Sequence, residues 1–292
     1  MAKGNGGTRG WSANAPKATS VNNSIEGFMS SLGYAYNPEP TPNALGELNS
    51  KGEIQLSAEQ QKALMSALAK RGTDEELTQS EADSLHTLLH EIGHYTALDR
   101  GLDSQGGVFM GSGIDKVSEV MNNIWAEEHL ASFASRYGMK MPSKYQPKDD
   151  AYRRLQGNLD RVMDILAIDK RAVYSDIAAD RVDYTGYHGI KGKGQGHQAL
   201  AAIIERQSGG RVSAKLALDI IDNVAGNSRD NEYRPKGDQL SRKRAAQIIN
   251  ENGLAKHKVY DYMFIGRENF DNSKRSKFSQ FTPAQIKKYN QF

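Results

Sequence analysis

The apolar positions of this chain fall into short clusters, and the period of each cluster predicts an element. Residues 1–45 hold one such cluster, from Ile25 to Leu32, in a background of Gly, Asn, Ser, Pro and Thr. That pattern predicts a flexible leader carrying one short helix. Lys51-Gly52 is a turn signal, and Glu53-Ile54-Gln55-Leu56 alternates polar with apolar as a half-buried strand does. Ser57 stands three residues before Gln60, the spacing of a capping box. The helix it opens turns Leu64 and Leu68 inward and ends at Gly72.

Two longer helical patterns follow. Ser80, with Glu81 and Asp83 in the first turn, predicts the start of a helix that stops before Gly101. A second runs from about Asp115 to Tyr137, with Val117, Val120, Met121, Ile124, Trp125, Ala131 and Ala134 recurring at the helical period. Further helices are expected near 150–180, 197–207, 213–225 and 239–252, with one strand and no internal repeat. The expected fold class is therefore α+β, mostly helical, with a small sheet. The chain divides into a leader at 1–45, a first domain at 46–145, a helical accessory region at 146–225 and a C-terminal segment at 226–292.

Composition removes several kinds of chemistry. The 292 residues, 38% hydrophobic, can bury a sizeable core without staples. No apolar stretch approaches the ~18 residues needed to cross a bilayer, and the first twenty residues show no apolar signal region. The expectation is a cytoplasmic protein with no membrane partner. With no cysteine, disulfides, thiolate zinc sites, iron–sulfur clusters and cysteine nucleophiles are excluded together. A metal would have to be held by histidine, carboxylate or water. The net charge of +3 conceals an asymmetry: residues 226–292 carry 14 Lys+Arg against 7 Asp+Glu, and the rest carries 24 against 28. In that basic segment, Tyr260, Tyr262, Phe264, Phe270, Phe278, Phe281, Tyr289 and Phe292 interleave with Lys274, Arg275, Lys277, Lys287 and Lys288. Such a mixture can bind nucleic acid or dock on a protein partner.

The strongest chemical signal lies inside the helical pattern that follows Ser80. His90-Glu91-Ile92-Gly93-His94 is an HExxH motif, and on a helix residues i and i+4 share a face, so both imidazoles can reach one ion. Glu91 is then placed to act as general base. A catalytic zinc needs a third protein ligand. Measured from Ile124 at 100° per residue, Glu128 lies about 40° and Glu127 about 60° from the centre of the next helix's apolar stripe. Glu128 is the nearer candidate and Glu127 the alternative, with His129 pointing away. His86 continues the His90–His94 spacing, but three residues over two turns span ~12 Å, too far for one ion. It is expected to pack or to orient His90.

These residues resemble the gluzincin class of zinc metallopeptidases, and more closely the compact zincin domains of antirestriction-type and regulatory proteins of phages and mobile elements. In that likeness Gly52-Glu53-Ile54-Gln55-Leu56-Ser57 matches the short edge strand ahead of the active helix. The stretch from Leu89 to Gly101 matches the active helix and its exit, and that from Glu127 to Gly138 the third-ligand helix. The likeness spans about residues 48–140. It implies a zinc metalloendopeptidase with ligands His90, His94 and Glu128 and with Glu91 as base. It also implies a bacterial host, with association to a virion as a further location. Zinc lowers the pKa of a bound water toward ~7 and polarises the scissile carbonyl. Tyr95, His129, Arg136 and Tyr137 are the polar candidates for stabilising the oxyanion, and the strand at 53–56 could pair a peptide substrate along its edge. The alternative is a non-enzymatic zincin scaffold: a virion component, or a nucleic-acid-binding antirestriction protein with structural zinc. The glycine-rich run from Tyr184 to His197 lacks the spacing of a P-loop and is expected to be a loop.

Overall fold

The computed structural model describes residues 24–42, 44–49, 51–97, 116–147, 151–179, 195–225 and 235–264. Among them the chain is mostly helical with one small three-stranded sheet, as the pattern predicts. It divides into two units. One comprises residues 1–107 and 129–147, the other 108–128 and 148–292.

The first unit opens with helix α1, Ile25–Leu32, capped by Ser24, whose hydroxyl accepts the Gly27 N–H, and closed by Gly33 in the left-handed conformation. Ile25, Phe28 and Met29 are buried. This part of the expected leader is thus folded, while residues 1–23 lie outside the described set. Strands β1 (Tyr36–Asn37), β2 (Gly46–Leu48) and β3 (Ile54–Leu56) form a sheet in the order β1-β3-β2. β1 runs parallel to β3 and β2 antiparallel, with Gly46 opposite Leu56 and Leu48 opposite Ile54. The strand read from the sequence is therefore the central one, and its edges are taken by β1 and β2. Edge pairing of a substrate at 53–56 is corrected accordingly. The β2–β3 hairpin turns at Asn49–Glu53, where the Asn49 side chain accepts the N–H groups of Lys51 and Glu53, and Gly52 has φ 74°.

Helix α2, Ala58–Ala69, begins at Ser57 as expected, with the Ser57 hydroxyl accepting the Gln60 N–H. Leu64, Ala67 and Leu68 are fully buried. Helix α3, Gln79–Ala97, starts two residues earlier than read from Ser80. Thr78 and Glu81 form the capping box, Thr78 Oγ1 accepting the Glu81 N–H while Glu81 Oε2 accepts the Thr78 N–H. Its core stripe is Ala82, Leu85, Leu88, Leu89 and Ile92. The returning segment at 129–147 completes this unit. Phe133 and Tyr137 pack their rings on Phe28 at 6.1 and 5.2 Å, and Gly72 N–H donates to Gly138 O at 2.7 Å. Both glycines are left-handed, and a Cβ on Gly138 would stand 3.1 Å from Gly72 N.

Helix α4, Lys116–Arg136, matches the second long pattern within a residue at each end. In the second unit, α5 (Ala151–Ile165), α6 (Lys170–Ala178), α7 (Gln195–Gln207), α8 (Ala214–Ala225) and α9 (Pro235–Glu251) follow one another. The helices expected near 150–180 are α5 and α6, which are parted where Ala167 takes a left-handed φ of 51°. α8 is buried along Ala214, Ala217, Leu218, Ile220, Ile221, Val224 and Ala225 and packs on α7, α9 and α5. The glycine-rich run enters the described residues only at 195–197, the start of α7. The aromatic and basic residues beyond Phe264 lie outside them.

Candidate metal centre

Helix α3 carries the motif in its second half, where the capping box fixes the helix start and the leucine stripe fixes its rotation. His90, Glu91 and His94 are all buried, at 8, 5 and 6% exposure. Histidine and glutamate are seldom buried in this way unless they are partnered. The two imidazoles converge: His90 Nε2 and His94 Nε2 stand 3.1 Å apart, with the rings edge to face. Two nitrogens sharing one zinc at ~2.0–2.1 Å in tetrahedral geometry are ~3.3 Å apart. The i,i+4 pair is thus already spaced for a common ion.

A buried carboxylate, Glu119, lies close to them, whereas Glu128, the third ligand read from the sequence, is exposed and not in this cluster. His90, His94 and Glu119 each offer a ligand atom, these atoms lie within 4.8 Å of one another, and all three residues are buried. Glu128 is exposed, and Glu127 pairs with Arg153. Nine residues separate Glu119 from Glu128, which at 100° per residue places them on opposite faces. Asn123, Ala126, Leu130 and Phe133 fall within about 40° of Glu119, and all are buried. The described side chains of 117–126 are all buried or half-buried, so Val117, Val120 and Ile124 mark no single inner face. Farther along, Leu130 and Phe133 are buried while Glu128, Ala131, Ser132 and Ser135 are exposed.

A metal is tested by this donor set on its chemistry. Two imidazoles and one carboxylate are a donor set of the kind that holds a catalytic zinc while leaving a position open. The described residues therefore hold a buried cluster able to bind a metal ion. His86, half-buried one turn earlier, is not part of it. Glu91 sits against the sheet: a Cβ on Gly46 would lie 3.0 Å from both Glu91 Cγ and Glu91 Oε1. Among the oxyanion candidates, Tyr137 places its ring in the Phe28–Phe133 cluster, where burial pushes its phenol up despite Arg136 and Arg71. His129 and Arg136 are half-buried, and the Tyr95 side chain lies outside the described set.

Comparison with family models, curated proteins and solved structures finds no match to this chain. What is known of the centre is its geometry.

Proposed function

We propose that the protein is a zinc-dependent metallopeptidase, with His90, His94 and Glu119 as zinc ligands and Glu91 as general base. The observation that carries this reading is the convergence of His90 Nε2 and His94 Nε2 to 3.1 Å within a buried HExxH helix. A structural site would have no need for a carboxylate between the two ligands, and Glu91 is buried beside them. Zinc, when bound, supplies Lewis acidity toward a carbonyl and lowers the pKa of a water toward ~7. The protein's own part is to hold the ligands in a buried setting and to accept and return a proton at the Glu91 carboxylate. The short strand β2 forms an edge of the sheet and packs on α3, which favours an extended peptide as substrate, aligned by backbone hydrogen bonds.

The test is zinc content together with hydrolysis of a peptide library. Wild type should carry about one zinc per chain, as a three-ligand catalytic site does. Glu119→Gln should lose it, Glu128→Gln should retain it, and Glu91→Gln should retain zinc while losing hydrolysis. Zinc that survives Glu119→Gln but not Glu128→Gln would refute the ligand assignment. A zinc-loaded wild type that cleaves nothing would favour a non-enzymatic zincin scaffold.

A further inference from the structure

The residue facing the proposed base has no side chain, and space is the reason. A Cβ at Gly46 would meet Glu91 Cγ, Glu91 Oε1 and Thr87 Cγ2, each at 3.0 Å. That is inside normal van der Waals contact between carbon atoms, ~3.5–4.0 Å. Backbone conformation does not call for glycine here, because Gly46 is not among the left-handed residues. Gly52, at the turn of the same hairpin, is the opposite case: its φ is 74° and nothing lies within 4 Å of its Cβ position. Gly46 is also anchored, since β2 pairs with the fully buried strand residues Leu56 and Ile54 through Gly46 and Leu48. Thr87 and Glu91, one turn apart on α3, form the opposing wall. An added methyl would therefore be relieved mainly by the free end of the Glu91 side chain.

We infer that Gly46 is a positioning residue for Glu91: its missing side chain leaves the space in which the carboxylate stands. The inference rests on the peptidase reading for its chemical consequence. Restoring ordinary contact from 3.0 Å needs a displacement of about 0.5–1.0 Å, which a fold can absorb but which reaches or exceeds the roughly 0.5 Å that productive catalytic geometry tolerates. Gly46 thus acts on the proton transfer through Glu91, without touching substrate atoms.

The experiment compares full-length, zinc-loaded wild type, Gly46→Ala, Gly46→Ala/Thr87→Ser and Gly52→Ala. Zinc content, kcat and KM on a cleaved peptide, and affinity for acetohydroxamate are read for each. Acetohydroxamate is a metal chelator whose hydroxyl proton a carboxylate beside a bound zinc would accept, so its affinity would report the position of the Glu91 carboxylate without turnover. Gly46→Ala should keep its zinc and its KM, lose about tenfold or more in kcat, and bind acetohydroxamate correspondingly more weakly. Thr87→Ser removes one of the three crowding atoms and should restore part of both losses. Gly52→Ala strains the hairpin away from Glu91, so it should lower the melting temperature and leave kcat unchanged. Unchanged kcat and acetohydroxamate affinity in Gly46→Ala would overturn the inference. So would loss of zinc from that variant, which would make Gly46 a packing requirement of the whole centre. If zinc-loaded wild type cleaves no peptide, the peptidase reading fails by itself. Acetohydroxamate affinity then decides on Gly46: weakened in Gly46→Ala sustains the positioning role, unchanged removes it.

Discussion

Glu81 ties the stability of the motif-bearing helix to pH. Its carboxylate is buried and accepts from Ser66 Oγ at 2.6 Å, Lys70 Nζ at 2.8 Å and the Thr78 N–H at 2.7 Å. Burial alone would push this carboxyl up, but the donors from Lys70, Ser66 and Thr78 outweigh it and hold Glu81 down to about 2. Against the 4.5 of an ordinary glutamate, and at 1.36 kcal/mol per pH unit, this corresponds to about 3 kcal/mol. Lys70 remains 19% exposed, so solvent screening reduces the figure to about 2 kcal/mol. The sign follows from a depressed carboxyl: the stabilisation is complete above pH 4.5 and is lost as pH falls through that value toward about 2. Native-state hydrogen exchange on α2 and α3 amides reads the opening free energy of this helix pair. Glu81→Gln should lower it by about 2 kcal/mol at neutral pH, and the gap to wild type should close below pH 4.5. A gap that is independent of pH, or absent at neutral pH, would refute the reasoning. The proposed metal centre should be unaffected, because Glu81 lies nine residues, ~13.5 Å of helix, from His90.

Other outcomes follow from single contacts. Phe133→Ala removes a fully buried ring packed on Phe28 and Tyr137 and should cost about 3–5 kcal/mol in thermal or urea unfolding; a loss below about 1 kcal/mol would deny that cluster a place in the core. Arg153→Ala breaks a partly exposed ion pair with Glu127 and should cost at most about 1 kcal/mol while leaving the proposed metal centre intact. A change in metal content in that variant would favour Glu127 as a ligand. Tyr174 donates to Asp160 and accepts from Gln156 at 3.1 Å, so Tyr174→Phe should destabilise the second unit by about 1–3 kcal/mol. Burial and the Asp160 charge push the Tyr174 phenol up, so a phenolate titration to about pH 11 should be the same in wild type and Tyr174→Phe.

Helices with a clear start and one wet face were legible in the sequence. Ser57 opened α2 as written, and α7, α8 and α9 lie where their periods put them. β1 and β2 were not legible, because strands of two and three residues show no alternation, and their pairing depends on partners 6 to 18 residues away. Within the centre, the local part of the geometry was legible: His90 and His94 share a helix face by spacing alone. Glu119 comes from another helix, and no spacing in the sequence links it to the histidines. Val117, Val120 and Ile124 sit in a stretch with no exposed side chain among its described residues, so their stripe marks no single inner face. Gly46 gave no signal, since only its distance from Glu91 distinguishes it from a turn glycine.

The first unit is built from two separated pieces of chain, 1–107 and 129–147. During synthesis the hairpin, α2 and α3 emerge first, but Phe28 must wait for Phe133 and Tyr137, and Gly72 for Gly138. The Leu77 N–H likewise waits for Lys140 O. The histidine pair is therefore made some forty residues before the packing that completes its unit. The shortest fragment able to hold that helix in place runs at least to residue 147, and any genetic dissection of the centre has to cut beyond it.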